Sequence, residues 1–426
     1  MARLADFDQF QEALAMVEEN TRHGGGTLDD EKTLAMLLSS HPETRRAGLD
    51  KWKTVARRQQ LSLPEQVEVA RLQETLKEWG EARIAYNALA TNALAAAEPD
   101  LAYVVYAARA LLQHNEVSDA MIWARKLEQR EPDSARTLGL KVRLLKSQDL
   151  ADDAATLLKA YIQKPGANLG VAAGLFEEVG QLALAEELFR KTAAQVKEPM
   201  SSLALAAFLG RHDHYDEALA LCLRAAEQGA VGQALDVGLA MLREAGSPTE
   251  AHCQRLDGLL DEIIKKNPNS PVPILQRAEL RSLQTKFAES EALYRQVLRQ
   301  DSRNVVALNN LAYLLAAQDS KLDEAMQMVN RAMAISGERG SFLDTRALIF
   351  LKLGANKEAL DDLNKALQDG ETPFRRFHRA MALRPSDRLA AKKDMEDAQK
   401  MRLTAKKVHP LERKTYEELL DALDLN

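Results

Sequence analysis

The sequence predicts an all-α fold, an α-solenoid of stacked antiparallel helix pairs. Three observations predict it. At 426 residues the chain exceeds the roughly 250–300 at which a single compact core stops growing, so it forms either several domains or an extended array. Hydrophobic residues make up 46% and charged residues 28%, but aromatics only 5%, a balance that suits amphipathic helices packed through small side chains. An alanine recurs after a short turn and early in an amphipathic helix at Ala82, Ala120, Ala154, Ala185, Ala218, Ala251, Ala325 and Ala359. That interval is about 34 residues with insertions, the length of one helix–turn–helix repeat unit.

The elements follow in order. Asp6 to Asn20 reads as the second helix of a pair without its first, since Phe10, Ala13 and Val17 carry the apolar spacing. The native polypeptide is therefore expected to extend further N-terminally. His23-Gly24-Gly25-Gly26 forms a loop, and Leu28 to Ser39 with Glu43 to Gln59, containing Trp52, gives a degenerate pair. We take 1–62 as degenerate N-terminal repeats and 63–373 as the main superhelical array. Residues 374–426 supply a last repeat and capping helices, because a terminal repeat needs one polar outer face. In that region Phe374 to Leu383 reads as a first helix and Asp387 to Met401 as its partner, and the tail from His409 through Leu423 is expected to fold a final helix over the apolar edge.

Residue by residue the array resembles the tetratricopeptide repeat family. From Leu101 to Ser134, Val104, Ala107, Ala108 and Leu111 match the first-helix pattern, and Val117, Ala120, Ala124, Leu127 and Pro132 match the turn, second helix and exit. The repeat from Val305 carries Leu308, Leu311, Ala312, Leu315, Leu322, Ala325, Val329 and Ala332; the next carries Leu343, Ala347, Phe350, Leu353-Gly354, Ala359, Leu363 and Ala366. The resemblance covers about residues 64 to 373 and implies a right-handed superhelix whose first helices line a concave groove. It departs from the family at Ser290, which replaces an alanine, at Lys141, which takes an apolar position, and in the long pair from Gly232 to Ser270. The tail is similar to one at the ends of some bacterial members.

Catalysis and metal chemistry need groups that converge at particular spacings, and the chain lacks them. It has no His-Glu-x-x-His helix, no Cys-x-x-Cys, no Gly-x-Ser-x-Gly elbow and no phosphate loop. His212-Asp213-His214 is the most metal-like string, but it sits in a turn, and Cys222 and Cys253 read as buried free thiols. No enzyme activity, metal or cofactor is expected. The net charge of −6 gives no global attraction for nucleic acid. Between Phe374 and Asn426, thirteen Lys/Arg face nine Asp/Glu, yet they interleave without an aromatic ladder, so a solvated cap is expected there. No signal peptide or membrane span is read, and a cytoplasmic location is the expectation.

If first helices line the groove, the family geometry points Tyr106 and Arg109, then Arg136, Arg143 and Lys146, into it. Several cations on one face favour an acidic segment. Further along it points Gln276 and Glu279, then Asn309, Asn310 and Tyr313, then Asp344, where amides and an aromatic ring suit an extended backbone. The carboxylate clamp of some co-chaperones is not expected, because the helices flanking Asn310 offer Leu275, Glu279, Ser341 and Thr345 in place of its cations. The sequence therefore predicts a non-enzymatic scaffold that binds a partner protein or extended peptide in the groove. A regulatory or substrate-docking region of a larger enzyme or export machine is the alternative, and a spacer without a groove ligand is a third.

Overall fold

The computed structural model describes residues 16–17, 19, 27–40, 44–246, 248–266, 268 and 270–425. The predicted helix over Asp6–Asn20, apart from residues 16, 17 and 19, and the loop at His23–Gly26 lie outside them. All regular structure among the described residues is helical. Helix α1 spans Leu28–Ser39 and α2 spans Arg45–Arg58, each within the range expected for a helix there, with Trp52 1% exposed.

Contacts divide the chain into two compact units. The first comprises 52–212 with 228–230; the second comprises the described residues of 1–51, 213–227 and 231–426. The division falls inside α2, and Arg45 at its start donates to the Gln368 carbonyl (3.4 Å) and pairs with Asp369 within the second unit.

In the first unit, α3 (Leu63–Thr75) pairs with α4 (Trp79–Ala95), α5 (Leu101–Gln113) with α6 (Val117–Arg130), α7 (Ala135–Ser147) with α8 (Ala151–Ile162), and α9 (Leu169–Glu178) with α10 (Leu182–Gln195); α11 (Pro199–Arg211) follows. Each helix packs on its sequence neighbours, and the first helices α5, α7 and α9 also pack on one another. Antiparallel helices approach to about 8–10 Å only where facing side chains are small. Here those are Ala107 and Ala108 against Ala120 and Ala124, all 4% exposed or less.

Start and stop signals are local. Ser134, Asn168, Asn304 and Thr372 each cap a first helix, the side-chain oxygen accepting from the amide three residues on at 3.0–3.2 Å. The turns inside the pairs end in a left-handed residue: Asn115, Asp149 and Gly180 in this unit have φ of 62°, 59° and 80°. The next amide then reaches back five residues, as from Glu116 to the Leu111 carbonyl at 2.8 Å. Glycine at Gly180 and Gly354 is the expected choice for that conformation. Thr285 adopts it too, with φ 60°, against its branched side chain.

The second unit repeats the plan. Helices α12 (Tyr215–Glu227), α13 (Val231–Ala245) and α14 (Glu250–Lys266) lead into the pairs α15 (Pro271–Leu283) with α16 (Phe287–Gln300), α17 (Val305–Ala317) with α18 (Leu322–Ser336), α19 (Gly340–Lys352) with α20 (Asn356–Gln368) and α21 (Pro373–Leu383) with α22 (Arg388–Lys400). The long pair expected near Gly232 is α13 with α14, 15 and 17 residues against 13 in α5 and α7. Ser290 is fully buried and gives its hydroxyl proton to the Ala278 carbonyl at 2.8 Å, so the departure from alanine is satisfied locally. Lys141 answers its semi-buried position by bonding Glu128 at 2.5 Å. Cys222 and Cys253 are free and buried, and burial pushes their thiols up to about 12 and about 11, away from reactivity.

Two substitutions test this packing. Ala120→Leu overfills the α5–α6 contact and is expected to cost about 1–3 kcal/mol in urea unfolding; an unchanged midpoint contradicts the pairing. Thr285→Gly removes a left-handed β-branched residue and is expected to stabilise the second unit by about 1 kcal/mol, net of the glycine's larger unfolded-state entropy.

Candidate functional site

Two stretches hold the residues that the sequence assigns to a groove. In the first unit, Tyr106 and Arg109 lie on α5, and Arg136, Arg143 and Lys146 on α7. Tyr106 is 38% exposed, its ring 6.2 Å from that of Tyr86, and burial raises its hydroxyl pKa. Arg109 is exposed and has no ion pair among the described residues. A cleft of about 410 Å³ lies on one side of it, beside Glu74, Tyr86 and Tyr106. A second of about 400 Å³ lies on the other, bounded by Leu112, Arg143 and Lys146. Arg109 and Gln113 border both.

The neighbouring cations are already engaged. Arg143 grips the Glu178 carboxylate through two nitrogens at 3.0 and 2.6 Å, and Lys146 donates to the Glu178 carbonyl at 2.6 Å. Arg136 turns to Glu131 at 3.1 Å and borders neither cleft. One step on, Arg211 and His212 hold Glu177, with His212 at 3.1 Å. Burial resists ionisation of Glu177, but Arg211 and then His212 outweigh it and hold the carboxyl below its ordinary range. His212 is thus part of an ion-pair ladder between successive repeats. Among the described residues no cluster of His, Cys, Asp and Glu is placed to hold a metal ion, and no helix is long and apolar enough to cross a membrane.

In the second unit the corresponding residues already meet protein partners. Gln276 donates to Asp236 at 3.0 Å, and Glu279 accepts from Arg243 at 2.8 Å. Asn309 donates weakly to Asn310 at 3.4 Å. Tyr313 gives its hydroxyl proton to Glu412, and Asp344 bonds His378 at 2.7 Å. Glu412 lies at the end of an irregular tail, 401–412, that leaves α22 and runs along this face before the last helix, α23 (Arg413–Ala422). Lys407 pairs with Glu244 at 2.5 Å, His409 bonds Ser282 at 2.9 Å and meets the Tyr313 ring edge-on at 5.3 Å, and Arg413 donates to the Gly246 carbonyl. Gly246 is obligatory here: its φ is 72°, and a Cβ would fall 2.0 Å from the Lys406 carbonyl oxygen.

The centre of this docking is a buried ionic trio. His378 sits between Asp344 and Glu412, with Glu412 at 3.0 Å; the His378 and Glu412 side chains are 2% and 3% exposed. Burial opposes the imidazolium, but the two carboxylates outweigh it and raise His378 well above its ordinary value. Glu412, also opposed by burial, is held low by His378 and then Tyr313. His409 behaves oppositely: burial, with little help from charge, lowers it to about 4. Beyond the tail, Tyr416 and Leu419 on α23 pack with Phe377 and Met395. The tail also passes along α15 and α17, a path that no local pattern predicts. A signal existed, because Asp344, His378 and Glu412 follow one another at intervals of 34 residues, in register with the repeat.

No protein-family model matches the sequence, and no curated protein matches it. Among solved structures the chain is similar to yeast Tom70, with 15% identity over 98% of this chain and 96% of that one and a TM-score of 0.45. It is similar to the Cut9–Hcn1 hetero-tetramer of the APC/C, with 14% identity over 95% and 87% and a TM-score of 0.38. A tetratricopeptide repeat protein from Parabacteroides merdae shares 17% identity over 68% and 98%, with a TM-score of 0.37. The architecture described above rests on the chain's own helix pairs: it is an α-solenoid of tetratricopeptide-like repeats.

His378 and His409 allow a pH test. His409 has a folded value of about 4 against an ordinary 6.5, so between those pH values the unfolded chain binds a proton that the folded chain refuses, and stability falls on acidification. His378, raised, gains its full contribution below its ordinary value, and Glu412, lowered, loses its contribution only under more acidic conditions. Urea unfolding of His409→Gln is therefore expected to lose on the order of 2 kcal/mol less than the parent between pH 6.5 and 4.5. Equal losses would remove His409 from the buried docking site.

Proposed function

We propose that the chain is a non-enzymatic scaffold that holds a partner protein or extended peptide on the groove face of its first unit, with Tyr106 and Arg109 at the centre and Arg143 and Lys146 at the margin. The observation that carries this reading is Arg109. An exposed guanidinium without an ion pair, bordered by a cleft on each side, is a ready bidentate site for a carboxylate. The half-exposed Tyr106 ring beside it adds stiff contact area. Both clefts lie along α5, and the second reaches α7, so an extended segment crossing successive first helices meets a ring, a cation and then the Arg143–Glu178 pair.

The partner's chemistry follows from that order: an acidic residue for Arg109 flanked by an apolar residue for the Tyr106 cleft. Gln276, Glu279, Tyr313 and Asp344 in the second unit already have intramolecular partners, which favours the first unit for an external segment.

The test uses a partner co-purified with the full chain and titrated at low ionic strength. Arg109→Glu is expected to weaken binding at least about tenfold, or about 1.4 kcal/mol, while leaving stability within about 0.5 kcal/mol, as for an exposed site. Tyr106→Ala is expected to weaken it independently of salt. Unchanged affinity in both variants sinks the proposal.

A further inference from the structure

The tail does not fill the face on which it lies. Between it and the helices of the second unit remains a cavity of about 250 Å³. Its floor is apolar and aromatic, built from Leu283, Tyr294, Tyr313, Leu314 and Phe374, with Val408 of the tail closing one side. Leu314 and Val408 are almost fully buried, so the floor is set by packed helices and by a tail segment that is itself anchored.

The polar groups around that floor are mainly donors. Lys406 and Arg413 bring cations, Arg413 also donating to the Gly246 carbonyl, and Ser282 and Asn310 bring neutral groups. The bordering carboxylate, Glu279, is already held by Arg243. Ser282 is a donor for a specific reason. His409 Nδ1 accepts from the Leu411 amide at 3.3 Å, so the ring proton resides on Nε2 and is donated to Ser282 Oγ at 2.9 Å. The serine's own proton then remains to give. Lys407 is neutralised by Glu244, whereas Lys406 is exposed and has no ion pair among the described residues. An acceptor-poor, cation-rimmed cavity with an aromatic floor is matched to an anion that carries an apolar body.

We propose that this cavity binds a small amphipathic monocarboxylate, its ring or short alkyl chain on the Tyr294–Phe374 floor and its carboxylate at Lys406 and Ser282. The size sets the class. About 250 Å³ lies just under the range of roughly 300–1,000 Å³ typical of ligand pockets, which admits one ring with a short acid arm and excludes a nucleotide or a long acyl chain. The site exists only with the tail docked, because Lys406 and Val408 belong to the tail. Binding of such an acid therefore holds the tail in place and makes the cap of the array responsive to a small metabolite, a role separate from capture of a protein by the first unit.

The test titrates the full chain by calorimetry at low ionic strength with 3-phenylpropionate and its uncharged counterpart, 3-phenylpropionamide. The expected result is saturable binding at one site per chain, with the acid at least tenfold tighter than the amide. Lys406→Glu should weaken the acid at least tenfold, Lys406→Arg should largely restore it, and Leu283→Trp, which fills the floor, should abolish it. Lys406 is exposed, so its variants remain informative if Leu283→Trp fails to fold. Absence of saturable binding, equal affinity for acid and amide, or an acid that binds Lys406→Glu as well as the parent overturns the proposal. Tighter binding of a peptide ending in a free phenylalanine carboxylate also overturns it, by assigning the cavity to a protein terminus.

Discussion

Close approach of two antiparallel helices at alanine is the constraint from which the remaining structure follows. Ala107 with Ala120, Ala312 with Ala325, and Ala347 with Ala359 are all fully buried, and none has a side chain that would hold the helices apart. Once a pair is that close, its large residues project outward along the stack, as Leu111 and Leu127 do within one apolar cluster, and must be covered by the next pair. The turn inside a pair must also be tight, which brings in the left-handed residues at Asn115, Asp149 and Gly180. Thr285 accepts that conformation despite its branched side chain, so the demand of the turn outweighs local preference.

Polar groups follow the same register. Arg83 meets Asp119, Arg143 meets Glu178, Arg211 meets Glu177 and Arg243 meets Glu279, all at separations of 34 to 36 residues. Such pairs are mostly exposed and individually weak. Their effect is to fix which side chains are left for outside partners. In the first unit Arg109 is left. In the second unit the face is taken up by the tail, whose Glu412 joins Tyr313 and His378 in a buried network. Breaking such a network by removing one member leaves an uncompensated charge, so the tail's path is specified by charge as much as by its leucines.

Much of this was legible in the sequence because it depends on one side chain at one interval. The alanines at helix-pair contacts, the small Ser290, the buried cysteines and the glycines at Gly180 and Gly354 could all be read without knowledge of distant contacts. The ion-pair ladder is legible in principle from its repeat-length spacing: Arg143 and Lys146, expected in the groove, border the cleft beside Arg109 and also reach one repeat forward to Glu178. The tail was illegible for a different reason. Residues 401–412 have no helical period, and their partners lie as far away as Ser282, 127 residues from His409. His378 has its companions one repeat away on either side, beyond any local motif.

The central claim, that helix pairs are held by close contacts and coupled only to their neighbours, is tested most directly by amide hydrogen exchange on Ala154→Leu. Ala154 is fully buried on α8, so the added bulk should spread that pair. The account predicts faster exchange through α7 and α8 and into α6 and α9, with α3 and α4 unchanged. Uniform acceleration across the whole unit, or none in α7 and α8, would contradict it.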